Sequence, residues 1–309
     1  MQNSLAIGVD IGGTHISCAA VQIQEGQLLP HTHSRATYNH ESTSDIILQN
    51  WANALNDTIS QIPLEQLAGI GFAIPGPFDY RNGVSKMEHK FKDLLGLHIP
   101  KALNPLLNSP KELPMRFLND ASSFAVGEAW MGEGQGFQRV VVITLGTGFG
   151  SAFVEDGVPV VSGEKVPKEG CLWHLPYKDS IADDYFSTRW FVGEYAKITG
   201  QQVQGVKQLI DLVDSDAHAR NLFLTFGENL AERLAAPLLT FEADLLVIGG
   251  NISHALPLFG EALQTGLNKA GVRTKIAVSK LKENAALLGS ARLLDDEFWA
   301  KASAQLPNI

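Results

Sequence analysis

The chain has 309 residues, of which 45% are hydrophobic and 18% charged, a composition that can fill buried cores and excludes intrinsic disorder. A formal net charge of -9 gives nucleic-acid phosphates or an anionic membrane nothing general to hold, so no nucleic-acid or membrane partner is expected. Cys18 and Cys171 are the only cysteines, which excludes a disulfide framework; with no leader-like segment after Met1 and apolar runs broken by glycine, the sequence reads as cytoplasmic.

Residues 5–10 are apolar and β-branched, IGGT supplies a turn and ISCAAVQI resumes as a strand, which predicts a hairpin opening a sheet. Residues 45–62 place Ile47, Trp51, Leu55 and Ile59 at steps of four, the mark of a helix with one buried face. GIGFAIPG reads as a strand ending at a Pro-Gly turn and MRFLN as a short strand. ASSFAVGEAWMG reads as a helix closed by glycine, so Asp120 sits at a strand-to-helix junction.

RVVVITL, GTGFG and SAFV, then EDG and VPVV, repeat the opening hairpin, with Gly146 in the place of Gly12. DYFSTRWFVGEYAKITG predicts a helix ending at Gly200, and Phe223, Phe226, Leu230, Leu234 and Leu238 stripe a long one. The strand DLLVIGG follows, then a helix from Ile252. Two matched hairpins, each opening half of the chain, predict an internal duplication: an α/β protein of two similar lobes with a cleft between them.

Four segments carry candidate chemistry. In DIGGTH, Gly12 and Gly13 can bring backbone N–H groups against phosphate oxygens, and Thr14 adds a hydroxyl donor. Asp10 would face the same phosphates, an arrangement that needs Mg²⁺ between the anions. A tight turn with a capping aspartate explains that motif equally well. TLGTGFG sets Thr144, Gly146, Thr147 and Gly148 at the matching turn, and a second copy in register favours phosphate binding over a plain hairpin. Gly249 and Gly250 end a buried strand, where bare backbone can lie against adenine or ribose. Asn119 and Asp120 end MRFL, where a carboxylate on a rigid strand end can accept the proton of a hydroxyl undergoing phosphoryl transfer; a helix N-cap is the alternative for Asp120.

With these segments in place, the chain resembles the ROK family of sugar kinases, relatives of actin and hexokinase in fold. DIGGTH resembles that family's phosphate motif, with His15 where lysine is usual, and GFAIPGPFD resembles its sugar-side loop, at Gly76. LNDASSFAVGE and TLGTGFG match closely, IGGNIS, through Asn251, is similar to its adenosine segment, and ENAALLGSARLL resembles its C-terminal helix. The resemblance implies a two-lobed, actin-like and ribonuclease H-like duplicated fold with ATP and sugar in the cleft. The expected lobes are 1–118, completed by a C-terminal helix at 284–309, and 119–283. It further implies ATP and Mg²⁺, Asp120 as general base, Asn119 as sugar ligand, Asp10 on Mg²⁺ through water, and a homodimer.

The departures bear on the sugar. GExGH is expected after the second hairpin, but GCLWH stands at 170–174: Cys171 replaces the glutamate, His174 keeps its place, and Glu169 offers a carboxylate two positions earlier. A thiol cannot accept two strong hydrogen bonds as a carboxylate does, so altered sugar specificity is expected. The family's zinc-binding cysteine cluster is replaced by LPYKDSIADDYFSTRW, so no structural zinc is expected. Within it, DDYFS resembles a segment with a further sugar-binding glutamate, at Asp183, although two acids at a helix N-terminus are also favoured by the dipole alone. Trp173, Trp190 and Tyr177 suit either a sugar face or a core. The alternatives to a kinase are a sugar-sensing regulator, for whose helix-turn-helix the few residues before Asp10 leave no room, and a catalytically weak sugar-binding protein. Cys171 and His15 motivate the latter, while intact Asp10, Asn119 and Asp120 oppose it.

Overall fold

A computed structural model describes residues 4–306, which form two compact units. The first holds the residues up to Gln135, residues 157–159 and the segment from Glu283 onward; the second holds Gly136–Asp156 and Val160–Lys282. Residues 1–3 and 307–309, counted within the expected first lobe, lie outside the described residues.

In the first unit Leu5–Ile11 pairs antiparallel with His15–Gln22, setting Asp10 opposite Ser17 and Ile11 opposite Ile16. Leu67–Ile74 and then Met115–Asn119 extend the sheet in parallel, while Gln27–Leu28 and Ser34–Thr37 pair with the second hairpin strand. Alternation along a strand sends neighbouring side chains to opposite faces. Ile7 and Val9 therefore enter a core with Trp51, Leu55 and Phe72, and the helix Ser44–Ile59 contributes all four residues of its predicted stripe to it. Gly8, between them, faces the helix Asn284–Arg292: a Cβ on Gly8 would stand 1.9 Å from the Leu287 carbonyl oxygen.

That C-terminal helix also touches the helix Asp120–Met131 backbone to backbone. A Cβ on Gly289 would lie 1.8 Å from the Ser123 carbonyl oxygen, and one on Gly127 would lie 1.9 Å from that of Ala285. The Ser290 hydroxyl adds a bond from the Val9 N–H at 3.0 Å. This packing corrects the expected boundary after residue 118: residues 119–135 belong with the first unit, because their helix is seated on the returning C-terminal segment.

The second unit repeats the plan. Arg139–Leu145 pairs antiparallel with Phe149–Glu155, and Leu245–Gly249 and Lys275–Val278 extend the sheet in parallel. Phe223, Phe226, Leu230, Leu234 and Leu238 are buried along the helix Ala217–Phe241. The run expected as one helix ending at Gly200 is instead two, Ala182–Tyr185 and Thr188–Thr199, separated by extended backbone at Ser187. Thr188 directs its N–H and hydroxyl to the Gly146 carbonyl rather than to a preceding turn. VPVV shortens to the strand Val158–Pro159, and Ile252 lies in a 3-10 turn, Asn251–Ala255, ahead of the helix Leu256–Lys269. Among the described residues no helix is long and apolar enough to cross a membrane.

Candidate active site

In the first unit Asp10 precedes a turn closed by the Gly12 N–H, which donates to the His15 carbonyl at 2.9 Å. Tyr38 braces it, its hydroxyl donating to the Gly12 carbonyl at 2.6 Å and its N–H to the Thr14 carbonyl at 2.9 Å. His15 covers Gly12, whose added Cβ would meet the imidazole at 2.8 Å. Gly13 differs: the nearest atom to an added Cβ is on His40 at 3.9 Å, and its φ is not positive. Neither packing nor backbone geometry within the chain requires glycine there, so the bare backbone is free for a ligand, which fits a phosphate group. Thr14 is exposed beside it.

The electrostatics of this turn are unbalanced. Loss of hydration pushes the Asp10 carboxyl up to about 7; the Asp120 and Glu283 carboxylates add to the shift, and Arg35 opposes it. Burial also raises Asp120, against the pull of the Ala121 N–H, Lys90 and a hydrogen bond from Asn119. His15 is lowered by burial and by Arg35, which favours the neutral imidazole. Such crowding of carboxyls fits a divalent cation. Among the described residues no three His, Cys, Asp or Glu side chains gather into a cage. Asp10 is the carboxylate at the phosphate turn that could hold such a cation together with phosphate and water oxygens.

Asn119, not Asp120, caps the helix Asp120–Met131: its Oδ1 accepts the Ser122 N–H at 3.2 Å. Asp120 is the first helical residue, its Oδ1 accepting the Ala121 N–H at 2.9 Å. The capping alternative thus falls to its neighbour. The Asn119 amide donates to the Tyr80 hydroxyl at 3.4 Å, and that hydroxyl donates to the Ile74 carbonyl at 3.3 Å. A Cβ on Gly76, which enters a cis peptide bond with Pro77, would stand 3.1 Å from the same hydroxyl. Gly76, Tyr80, Asn119 and Asp120 therefore meet at the carboxyl ends of two parallel strands, the usual place for a ligand in such sheets. The sequence reading missed Tyr80 along with the flanking Arg35, Lys90 and Glu283; Tyr80's signal was a tyrosine four residues after Gly76 in the same loop.

In the second unit the turn 146–149 is held at both ends. The Gly146 N–H donates to the Gly148 carbonyl at 3.1 Å, and the Gly146 carbonyl accepts the Thr188 N–H at 2.8 Å and its hydroxyl at 2.9 Å. The Phe149 N–H donates to Asp183 Oδ1 at 2.6 Å. Among the described residues a Cβ on Gly146 would meet nothing within 4 Å, and Thr147 is exposed beside it. Strand pairing sets Gly249 beside Thr144, bringing the third glycine segment against the second, with Asn251 exposed just beyond. Gly250 has an internal reason to be glycine: its φ is 79° and an added Cβ would stand 2.3 Å from the Leu145 carbonyl oxygen.

In the second unit the residues expected on the sugar side begin at Glu169, and the backbone just after it is held by Ser151, whose hydroxyl donates to the Gly170 carbonyl at 3.0 Å and accepts the Leu172 N–H at 2.8 Å. Glu169 takes a left-handed backbone, φ 58°, with its side chain exposed and 3.9 Å from Lys168. The Cys171 thiol donates to the Glu169 carbonyl at 3.4 Å, and the His174 ring packs edge-on to Trp173. Tyr177 and Trp190 are buried in the core with Phe186 and Phe226; of the three aromatics only Trp173 is exposed. Asp183 donates its N–H to the Trp173 carbonyl at 2.9 Å, while its carboxylate is engaged by Phe149 and, at 2.5 Å, by Arg189.

The ROK family model matches residues 6–297. A glucokinase of Thermotoga maritima is 26% identical, over 94% of this chain and 97% of its own length. An N-acetyl-D-glucosamine kinase of Haemophilus influenzae is 25% identical, over 86% of this chain and 90% of its own. Among solved structures, a ROK family glucokinase from Streptomyces griseus in complex with glucose and AMPPNP has the same fold, with a TM-score of 0.74 at 22% identity, covering 94% of this chain and 98% of that one. The duplicated α/β units, the paired glycine turns and the match over nearly the whole length lead to one conclusion: the chain belongs to the ROK family.

Proposed function

We propose that this ROK sugar kinase transfers the γ-phosphoryl group of ATP to a hydroxyl of a hexose or hexose derivative, with Asp120 accepting the hydroxyl proton. The observation that carries the assignment is the division of labour at residues 119 and 120. Asn119 caps the helix, so the neighbouring carboxylate is not needed as the cap and stands at the strand end with its pKa raised by burial. A base tuned upward from the ordinary carboxylate range transfers a proton more efficiently near neutral pH.

The turns at Gly12 and Gly13 and at Thr144, Gly146, Thr147 and Gly148 position the nucleotide phosphates, with Thr14 adding a hydroxyl and Gly249, Gly250 and Asn251 serving the nucleoside. Mg²⁺, when bound with the nucleotide, would neutralise phosphate charge, with Asp10 holding it through water. Asn119, Gly76, His174 and Glu169 are the residues proposed to hold sugar hydroxyls. The names of the relatives, kinases of glucose and of N-acetyl-D-glucosamine, support the substrate class, and AMPPNP in the Streptomyces griseus structure supports ATP. That Cys18 and Cys171 form no disulfide supports a reducing, cytoplasmic setting, and the family resemblance supports a homodimer.

The test is ADP release, measured by a coupled assay, with ATP, Mg²⁺ and a panel of glucose, mannose and their N-acetylamino derivatives. Stimulation by at least one sugar is expected. Release that no sugar stimulates refutes the kinase, and sugar binding without release supports a sugar-binding protein instead.

A further inference from the structure

We infer that Asp183 is a positioning residue for the phosphate turn 146–149 and not a sugar ligand, an inference that rests on the kinase reading of that turn. Both carboxylate oxygens are engaged inside the second unit: Oδ1 by the Phe149 N–H at 2.6 Å and Oδ2 by Arg189 at 2.5 Å. These are charge-assisted contacts, stronger than neutral hydrogen bonds, and they hold the carboxylate against the turn.

The segment 183–188 grips the turn from both sides. Asp183 takes the amide at its far end, and Thr188 gives two bonds to the Gly146 carbonyl at its near end. The Thr147 and Gly148 N–H groups between them have no partner among the described residues. Two fixed ends and two free donors between them make a preorganised anion cradle, whose donors need no reordering when phosphate arrives. Gly148 completes the fit, since a Cβ there would stand 3.0 Å from Asp183 Oδ1. Arg189 supplies the missing charge logic: it neutralises a carboxylate that would otherwise repel phosphate beside its own turn.

Steady-state ADP release decides this, with ATP varied at saturating sugar and sugar varied at saturating ATP. Asp183→Ala should raise the KM for ATP about tenfold, the usual worth of a hydrogen bond to a charged group, and leave the KM for sugar within about twofold. Asp183→Asn, which keeps an acceptor for the Phe149 N–H, should restore most of the loss. Thr188→Val, which removes only the hydroxyl bond to Gly146, should raise the KM for ATP in the same direction and serves if Asp183→Ala does not fold. A raised sugar KM with an unchanged ATP KM overturns the inference and makes Asp183 a sugar ligand; an unchanged ATP KM in every folded variant also overturns it. Wild-type protein that releases no ADP with any sugar defeats the kinase reading itself, a distinct result.

Discussion

The Asp120 carboxylate is, after burial, the largest influence raising the Asp10 carboxyl, which stands at about 7. Asp10 lies near the end of Leu5–Ile11 and Asp120 just past Met115–Asn119, two strands with Leu67–Ile74 between them, and the groups share one shortage of positive charge, relieved in part by Arg35 and Lys90.

A pH-dependent stability follows from Asp10. Its folded pKa lies above its unfolded value of 3.8, so its contribution to stability is full below that value and is lost as pH rises toward about 7. Asp10→Asn removes the ionisation. At about pH 8 the variant should be more stable than wild type by up to about 4 kcal/mol, and near pH 4 the difference should largely vanish. Thermal unfolding of both proteins across that range measures it. A gap that does not change with pH contradicts the assignment.

Gly289→Ala tests the seating of the Asp120 helix. The added methyl would stand 1.8 Å from the Ser123 carbonyl oxygen, a backbone atom that cannot rotate away. Destabilisation of about 3 kcal/mol is expected, the upper part of the range for overpacking. Activity should fall with it, because the displaced helix carries Asp120 at its first position. A denaturation midpoint equal to wild type contradicts backbone contact between the two helices.

Asn119 has two duties that substitution can separate. Asn119→Ala should cost about 1 kcal/mol from the lost cap and also raise the KM for sugar. Asn119→Ser, which can still accept the Ser122 N–H, should recover the stability but not the sugar affinity. Recovery of both by serine removes the amide from sugar binding.

The hairpins, the helix Ser44–Ile59 and the long helix Ala217–Phe241 were legible because alternation, glycine turns and steps of four are local signals. The capping duty was not: asparagine and aspartate are both good N-caps, and at adjacent positions the sequence does not say which residue turns its side chain back onto the helix. The unit boundary escaped for a non-local reason, since residues 119–135 are claimed by glycine contacts with residues 285–289 far along the chain. The glycines looked alike in sequence, yet Gly250 is demanded by the Leu145 backbone while Gly13 and Gly146 are crowded by nothing among the described residues. Asp183 rests on the resemblance of DDYFS, and a resemblance does not reveal that an amide and a guanidinium engage its oxygens.

The most direct measurement is sugar-dependent ADP release by Asp120→Asn beside wild type, with folding checked by circular dichroism and nucleotide affinity by titration with a non-hydrolysable ATP analogue. The variant should fold, bind the analogue as wild type does and lose turnover by about 10²- to 10⁴-fold, the contribution of a positioned general base. Turnover at the wild-type rate would mean that the proton leaves the sugar hydroxyl by another route and that Asp120 is not the base.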